Sequence, residues 1–145
     1  METPHQDLDA AWAAMSYEVL PGRFVLLGFL GAPREAELRI LGAGPGQLVC
    51  EGGETTWLLA SAAACQVLAA HPGARSEEDL VWVRFTAPMS WDLVGFLARV
   101  AGSMAAAGVP LGAVCGFSRD SIFFHQKFLS KVLRVLQDLF PGHDA

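Results

Sequence analysis

The residues best suited to chemistry are Ser118, Arg119 and Asp120, which interrupt a very apolar stretch between Ala113 and His125. A carboxylate at such a position can hold a cation, and a histidine titrates near neutral pH and can move a proton. The same residues also suit a plain hairpin turn, because Ser and Asp side chains hydrogen-bond their own backbone. Two interpretations therefore stand: a simple turn, or a turn that holds a carboxylate over a ligand.

Catalytic motifs are missing from the sequence, which contains no P-loop, G-x-S-x-G, H-E-x-x-H or dinucleotide fingerprint. The other histidines, His5, His71 and His143, fall in predicted loops and tails and form no metal-binding set. We therefore expect a non-catalytic binding module without metal or cofactor. The alternative is a small biosynthetic enzyme, a cyclase, isomerase or lyase, in which Asp120 and His125 act as acid and base.

The composition is that of a chain rich in core material. Of its 145 residues, 52% are hydrophobic and only 17% are charged. This predicts one compact domain, or two half-size units that share a core. The formal net charge is −5 and the ten Lys and Arg residues are scattered. We expect no nucleic-acid partner, because phosphate binding needs clustered basic residues.

The cysteines and the N-terminal residues indicate a cytoplasmic protein. Cys50, Cys65 and Cys115 are widely spaced and include no C-x-x-C pair. This is typical of reduced thiols buried as small hydrophobic side chains. The N-terminal residues carry acids and no basic segment before an apolar run, so they do not resemble a signal peptide.

One apolar run raises the question of a membrane span. Residues 93–117 are long and apolar enough to cross a bilayer. Pro110 and three glycines interrupt the run, and its last part has the pattern of a strand. We therefore expect a buried helix followed by a buried strand, and no membrane partner.

Hydrophobic patterning predicts a repeated order of elements. The first half contains predicted strands at 23–30, 47–50 and 55–59, with a helical turn within 35–41 and a short helix at 62–70. The second half has a strand at 79–85, a helix at 91–107 capped by Ser90, a hairpin of strands 111–117 and 121–125, and a helix at 127–140. Strand, helix, strand, strand, helix is the ferredoxin-like pattern, in which two helices cover one face of an antiparallel sheet.

The segment SWDLVGFLARVAGSMAAAGVPLGAVCGFSRDSIFF, residues 90–124, resembles the ACT domain of small stand-alone ACT proteins. It is similar to the regulatory units of aspartate kinase and to arginine-sensing cytosolic proteins. The shared features are the helix opening LVGFLA, the run MAAAGVPLGAV into a strand, and an aromatic-x-x-Asp-x-Ile turn. The first half resembles the N-terminal unit of the same proteins through GQLVCEGGETTWLL.

The resemblance implies an α+β protein of ferredoxin-like ACT fold, with two ACT-like units side by side. It implies an N-terminal extension over residues 1–15, a degenerate ACT-like unit over 16–78 and an ACT domain over 79–145. It also implies a regulatory module that binds a small molecule such as an amino acid, catalyses no reaction and forms a homodimer.

Ligand contacts in this family come from the loop that opens the first helix and from the hairpin that follows. Carried onto this sequence, these positions are Ser90, Trp91, Asp92, Leu93, Val94, Gly116, Phe117 and Asp120. Helix N–H groups suit an α-carboxylate and Asp120 suits an α-ammonium, so together they would clamp a zwitterion. Leu93 stands where amino-acid-sensing relatives have an acidic residue. A neutral or aromatic amino acid is therefore expected to fit better than lysine or arginine.

Overall fold

The computed structural model describes residues 7–143, which form two compact units. The central unit is Pro21–Val81, and the terminal unit consists of residues 7–20 and 82–143. The structure thus groups the N-terminal residues with the C-terminal half, where the sequence predicts a separate extension. The transition between the units falls after Val81, three residues beyond the predicted boundary.

The described residues form seven strands and five α-helices. The strands are β1 Tyr17–Val19, β2 Phe24–Leu30, β3 Gln47–Glu51, β4 Glu54–Ala60, β5 Arg75–Phe85, β6 Gly112–Cys115 and β7 Asp120–His125. The helices are α1 Leu8–Ala14, α2 Glu35–Leu38, α3 Ser61–Ala70, α4 Phe96–Ala106 and α5 Leu129–Leu139, the last preceded by a 3₁₀ turn over Gln126–Phe128.

The central unit runs β2, α2, β3, β4, α3 and the first part of β5. Its sheet has the order β3-β4-β2-β5, and all three pairings are antiparallel. Successive side chains of a strand point to opposite faces, so alternate residues of β2 and β4 face the same core. These side chains pack with two residues of α3 in one buried cluster: Val25, Leu27, Phe29, Trp57, Leu59, Ala64 and Val67. This is the ferredoxin-like βαββαβ arrangement.

The terminal unit has the same arrangement, but its fourth strand is β1, which comes from the N-terminal part of the chain. The last part of β5 is followed by α4, β6, β7 and α5, and β1 pairs antiparallel with β5 through Tyr17 and Phe85. The strand order is β1-β5-β7-β6. Trp12 of α1 packs on Phe140 with ring centroids 4.5 Å apart, and Phe85 meets Phe96 edge-on at 5.1 Å. The predicted ferredoxin-like fold is confirmed in both units.

The start of α4 differs from the prediction. Residues 90–93 form a turn in which the Leu93 N–H donates to the Ser90 carbonyl oxygen at 3.1 Å, and the helix begins only at Phe96. The reason is Gly95, whose φ of 96° lies in the left-handed region, outside right-handed helix geometry. Ser90 therefore does not cap this helix. The buried stripe of α4 is Phe96, Val100 and Met104, spaced four residues apart.

The cysteines also differ from the prediction, because all three are exposed. Cys50 lies on β3, an end strand of the central unit's sheet, and Cys115 lies on β6, an end strand of the terminal unit's sheet. Cys65 lies on an exposed face of α3. Composition does not reveal which strands are edges. Residues 93–117 divide into a turn, helix α4 and strand β6, and no helix of the described residues is long and apolar enough to cross a membrane.

Candidate functional site

A cavity of about 240 Å³ lies in the terminal unit, where the connection from β5 to α4 meets the β6–β7 hairpin. Six of the eight residues expected at a ligand site line it: Ser90, Trp91, Leu93, Gly116, Phe117 and Asp120. Asp92 and Val94 belong to the same connection but do not line the cavity. The hairpin predicted around Ser118–Asp120 and the loop before α4 are therefore neighbours in space.

Two hydrogen bonds to backbone carbonyl groups hold the two loops together at the cavity. The Met89 N–H donates to the Ser118 carbonyl oxygen at 2.7 Å. The Arg119 Nε–H donates to the Thr86 carbonyl oxygen at 2.8 Å. The guanidinium of Arg119 thus fastens the hairpin to the connection, which explains an arginine in this turn without any ligand.

The first turn of α4 supplies the cavity with backbone N–H groups. The first bond within the helix runs from the Arg99 N–H to the Gly95 carbonyl oxygen, at 3.0 Å. The N–H groups of Phe96, Leu97 and Ala98 therefore have no partner within the helix, and these three residues line the cavity. A helix N-terminus carries a partial positive charge that favours an anion. The helix N-terminus, predicted directly after Ser90, thus lies five residues further along the chain.

Asp120 provides the negative side of the cavity. It begins β7 and is half-buried. Burial raises the pKa of its carboxyl group above the ordinary value, and a hydrogen bond from the Cys115 thiol lowers that pKa in part. A partly desolvated carboxylate attracts a cation more strongly than one in bulk water, because the local dielectric constant is lower.

Large apolar side chains flank the cavity and face solvent. Trp91 is 86% exposed, Phe117 is 91% exposed and Val94 is 77% exposed. A single exposed apolar residue is ordinary, but a group of them beside a cavity is typical of a binding surface. The two aromatic rings come from opposite loops, one from each side of the cavity.

Comparisons with known proteins identify the fold. No family model matches the sequence, and no curated protein matches it either. Among solved structures, a protein from Agrobacterium tumefaciens is similar with a TM-score of 0.73 and 17% identity, over 90% of each chain. A structure of aspartokinase alpha and beta subunits has a TM-score of 0.65 and 13% identity, over 87% of this chain and 97% of that one. The ligand-free regulatory subunit of aspartate kinase from Thermus thermophilus has a TM-score of 0.58 and 13% identity, over 87% and 96%.

The chain has the fold of an ACT-type regulatory unit. At these identities the likeness establishes the fold, and the expected ACT fold is confirmed. In the ACT-type terminal unit, the cavity occupies the junction of the first strand-to-helix connection with the following hairpin.

The ACT-type arrangement separates the two residues of the enzymatic alternative. Asp120 begins β7 and His125 ends it, five residues later, so their backbones are about 17 Å apart in an extended strand. An odd separation also places the two side chains on opposite faces. His125 Nδ1 accepts a hydrogen bond from the Lys127 N–H at 3.1 Å and does not line the cavity. The pair cannot act as acid and base on one small substrate.

Sequence reasoning missed two parts of the cavity lining: Cys115 and the first turn of α4. Cys115 pairs directly with Asp120 across the hairpin. A signal for that pairing exists in the sequence, because a hairpin closed by Gly116 and Arg119 necessarily sets residues 115 and 120 opposite each other. Within residues 7–143, no group of three or more His, Cys, Asp and Glu side chains could hold a metal ion.

Proposed function

We propose that the cavity of the terminal unit binds a free amino acid and that this binding is regulatory. One observation carries the proposal: the same cavity is lined by the first turn of α4 and by the Asp120 carboxylate. An α-carboxylate suits the helix N–H groups, and an α-ammonium suits Asp120. A zwitterion is the smallest ligand that satisfies both ends.

The lining favours a neutral or aromatic side chain on that amino acid. Leu93, Trp91 and Phe117 present apolar surface, and Asp120 is the one acidic residue among the lining residues. If Asp120 holds the α-ammonium, no further lining carboxylate is left for the side chain of lysine or arginine. A cavity of about 240 Å³ is slightly below the size range of drug-sized ligand pockets, as suits a single amino acid.

A regulatory role is supported by the structural neighbours, which include the regulatory subunit of aspartate kinase from Thermus thermophilus. The proposal includes a homodimer, because β3 and β6 stand at the ends of the strand order and an exposed strand edge favours pairing with another chain. It also includes a cytoplasmic location, supported by the three widely spaced free cysteines. Sedimentation should give twice the 15.5 kDa chain mass, and a monomer at micromolar concentration would contradict the dimer.

A thermal-shift screen of the twenty amino acids tests the proposed binding. A ligand at one hundred times its dissociation constant adds about 2.7 kcal/mol of stability, which is readily measured. We expect stabilisation by neutral or aromatic amino acids and none by lysine or arginine. Asp120→Ala should abolish the shift while the protein stays folded, and the matched control Asp138→Ala, on the exposed side of α5, should preserve it. A shift that survives Asp120→Ala contradicts the proposal.

A further inference from the structure

Cys115 and Asp120 are opposite each other on the two strands of the hairpin that closes the cavity. The register pairs Cys115 with Asp120, and both residues line the cavity. The Gly116 N–H donates to the Arg119 carbonyl oxygen at 2.9 Å, so residues 116 and 119 are a hydrogen-bonded pair. The next pair along an antiparallel ladder is a non-hydrogen-bonded pair, in which the side chains are closest. The thiol and the carboxylate therefore meet on one face.

The thiol lies opposite the carboxylate across the hairpin and is placed to donate a hydrogen bond to it. Cys115 is exposed as a residue, but partial desolvation of its thiol beside the hairpin raises the thiol pKa. The charge of Asp120 and the hydrogen bond to it raise that pKa further. Cys115 therefore stays protonated at neutral pH and remains a donor. An ionised carboxylate has about four acceptor positions, so one bond from a thiol leaves acceptor capacity for a ligand.

We propose that Cys115 is a positioning residue of the amino-acid site, whose thiol holds the Asp120 carboxylate in the orientation that receives the ligand's ammonium group. This role rests on the proposed function of the cavity. It explains why a polar side chain on the edge strand β6 faces the cavity. Serine keeps a donor at this position and alanine removes it, so the two substitutions separate positioning from simple packing.

The first measurement concerns the unliganded protein and needs no ligand. NMR titration of the Asp120 side-chain carboxyl carbon is compared in wild type, Cys115→Ser and Cys115→Ala. Because the thiol bond lowers the pKa of Asp120, we expect a higher pKa in Cys115→Ala than in wild type, and a wild-type or lower pKa in Cys115→Ser. An Asp120 pKa that is the same in all three proteins overturns the positioning role.

The second measurement is calorimetric titration with L-phenylalanine as the probe. At pH 7 we expect binding about tenfold weaker in Cys115→Ala, the equivalent of one lost charge-assisted hydrogen bond, and nearly restored binding in Cys115→Ser. Binding requires ionised Asp120, so its loss on acidification should begin at higher pH in Cys115→Ala. The control Cys50→Ala, an exposed thiol of the central unit, should match wild type.

The outcomes separate the positioning role from the function on which it rests. If wild type binds L-phenylalanine and Cys115→Ala binds it equally well with the same pH dependence, the positioning role is overturned and the proposed function stands. If wild type binds neither L-phenylalanine nor any other neutral or aromatic amino acid, both are overturned, whatever the carboxyl titrations show.

Discussion

Both units contain the same junction, a strand-to-helix connection fastened to a β-hairpin, but the two junctions differ in length. In the central unit the connection is residues 31–34. The Gly31 N–H donates to the Gly53 carbonyl oxygen, and the Thr55 hydroxyl donates to the Gly31 carbonyl oxygen, both at 2.7 Å. In the terminal unit the connection is residues 86–95, fastened through Met89 and Arg119. The short connection follows the strand end closely, whereas the long one leaves room for a cavity.

The two junctions also differ in the burial and the hydrogen-bond partners of their carboxylates. Glu37 in α2 is 5% exposed, and it accepts hydrogen bonds from the Arg34 N–H at 2.9 Å and from His71. His71 also stacks on Phe29 with ring centroids 3.7 Å apart. Asp120 faces a cavity, and its hydrogen-bond partner is the Cys115 thiol. Such a junction is structural where its carboxylate is buried and bonded within the protein, and is suited to binding where its carboxylate borders a cavity.

The largest loss of stability is expected from a substitution at the junction of the central unit, where the Glu37 carboxylate is buried. Glu37→Ala removes the partner of His71 and the acceptor of the Arg34 N–H, and should lower the free energy of unfolding by about 3 kcal/mol. The matched control is Glu35→Ala on the same helix, where the side chain is 88% exposed and its pair with Arg39 is at the surface. That change should cost less than about 0.5 kcal/mol. Urea unfolding measures both, and equal costs would show that the buried pair has no structural role.

A smaller effect is expected from the tight turn of the central hairpin. Gly52 and Gly53 have φ values of 57° and 77°, in the left-handed region that favours glycine. Gly53→Ala should therefore cost about 1 to 2 kcal/mol. Gly73→Ala is the control, because its added Cβ would meet no atom within 4 Å and its φ is not positive, and it should cost nothing. Indistinguishable unfolding curves for the two variants would contradict a strained turn at Gly53.

The sequence was sufficient to predict the regular elements of both units. Alternating apolar residues located β2, β4 and β7, and turn residues located both hairpins, because strand periodicity and turn chemistry are local properties. The hairpin with Asp120 was predicted for the same reason. The late start of α4 has a local signal as well: Gly95, because glycine is unfavourable inside a helix.

The remaining features depend on contacts between distant parts of the chain. Glu37 and His71 are 34 residues apart and no local pattern connects them. The pairing of β1 with β5 joins residues such as Tyr17 and Phe85, so a segment predicted to belong to the first unit completes the sheet of the terminal unit. The exposure of Cys50 and Cys115 follows from which strands are edges, a property of the whole topology.

The smallest change in stability is expected when Asp120 is replaced in the unliganded protein. Burial raises the pKa of this carboxyl group, so above that pKa its charged form is less favourable in the native state than in the unfolded chain. Asp120→Asn should therefore increase stability at pH 7 by a few tenths of a kcal/mol. The gain should disappear as the pH falls below the unfolded-state pKa of about 3.9, because both states are then protonated. Thermal unfolding at pH 7 and pH 3 measures it, and a loss of stability at pH 7 would indicate a structural role for the charge.

The difference between the two junctions is tested most directly by an NMR titration of the backbone amides with L-phenylalanine. We predict saturable chemical-shift changes at Ser90, Leu97 and Asp120, around the cavity of the terminal unit. We predict none at Gly31 and Gly53, at the junction of the central unit. Asp120→Ala should abolish the shifts. Shifts confined to the central unit, or none at Asp120 at saturating L-phenylalanine, would contradict amino-acid binding at this site.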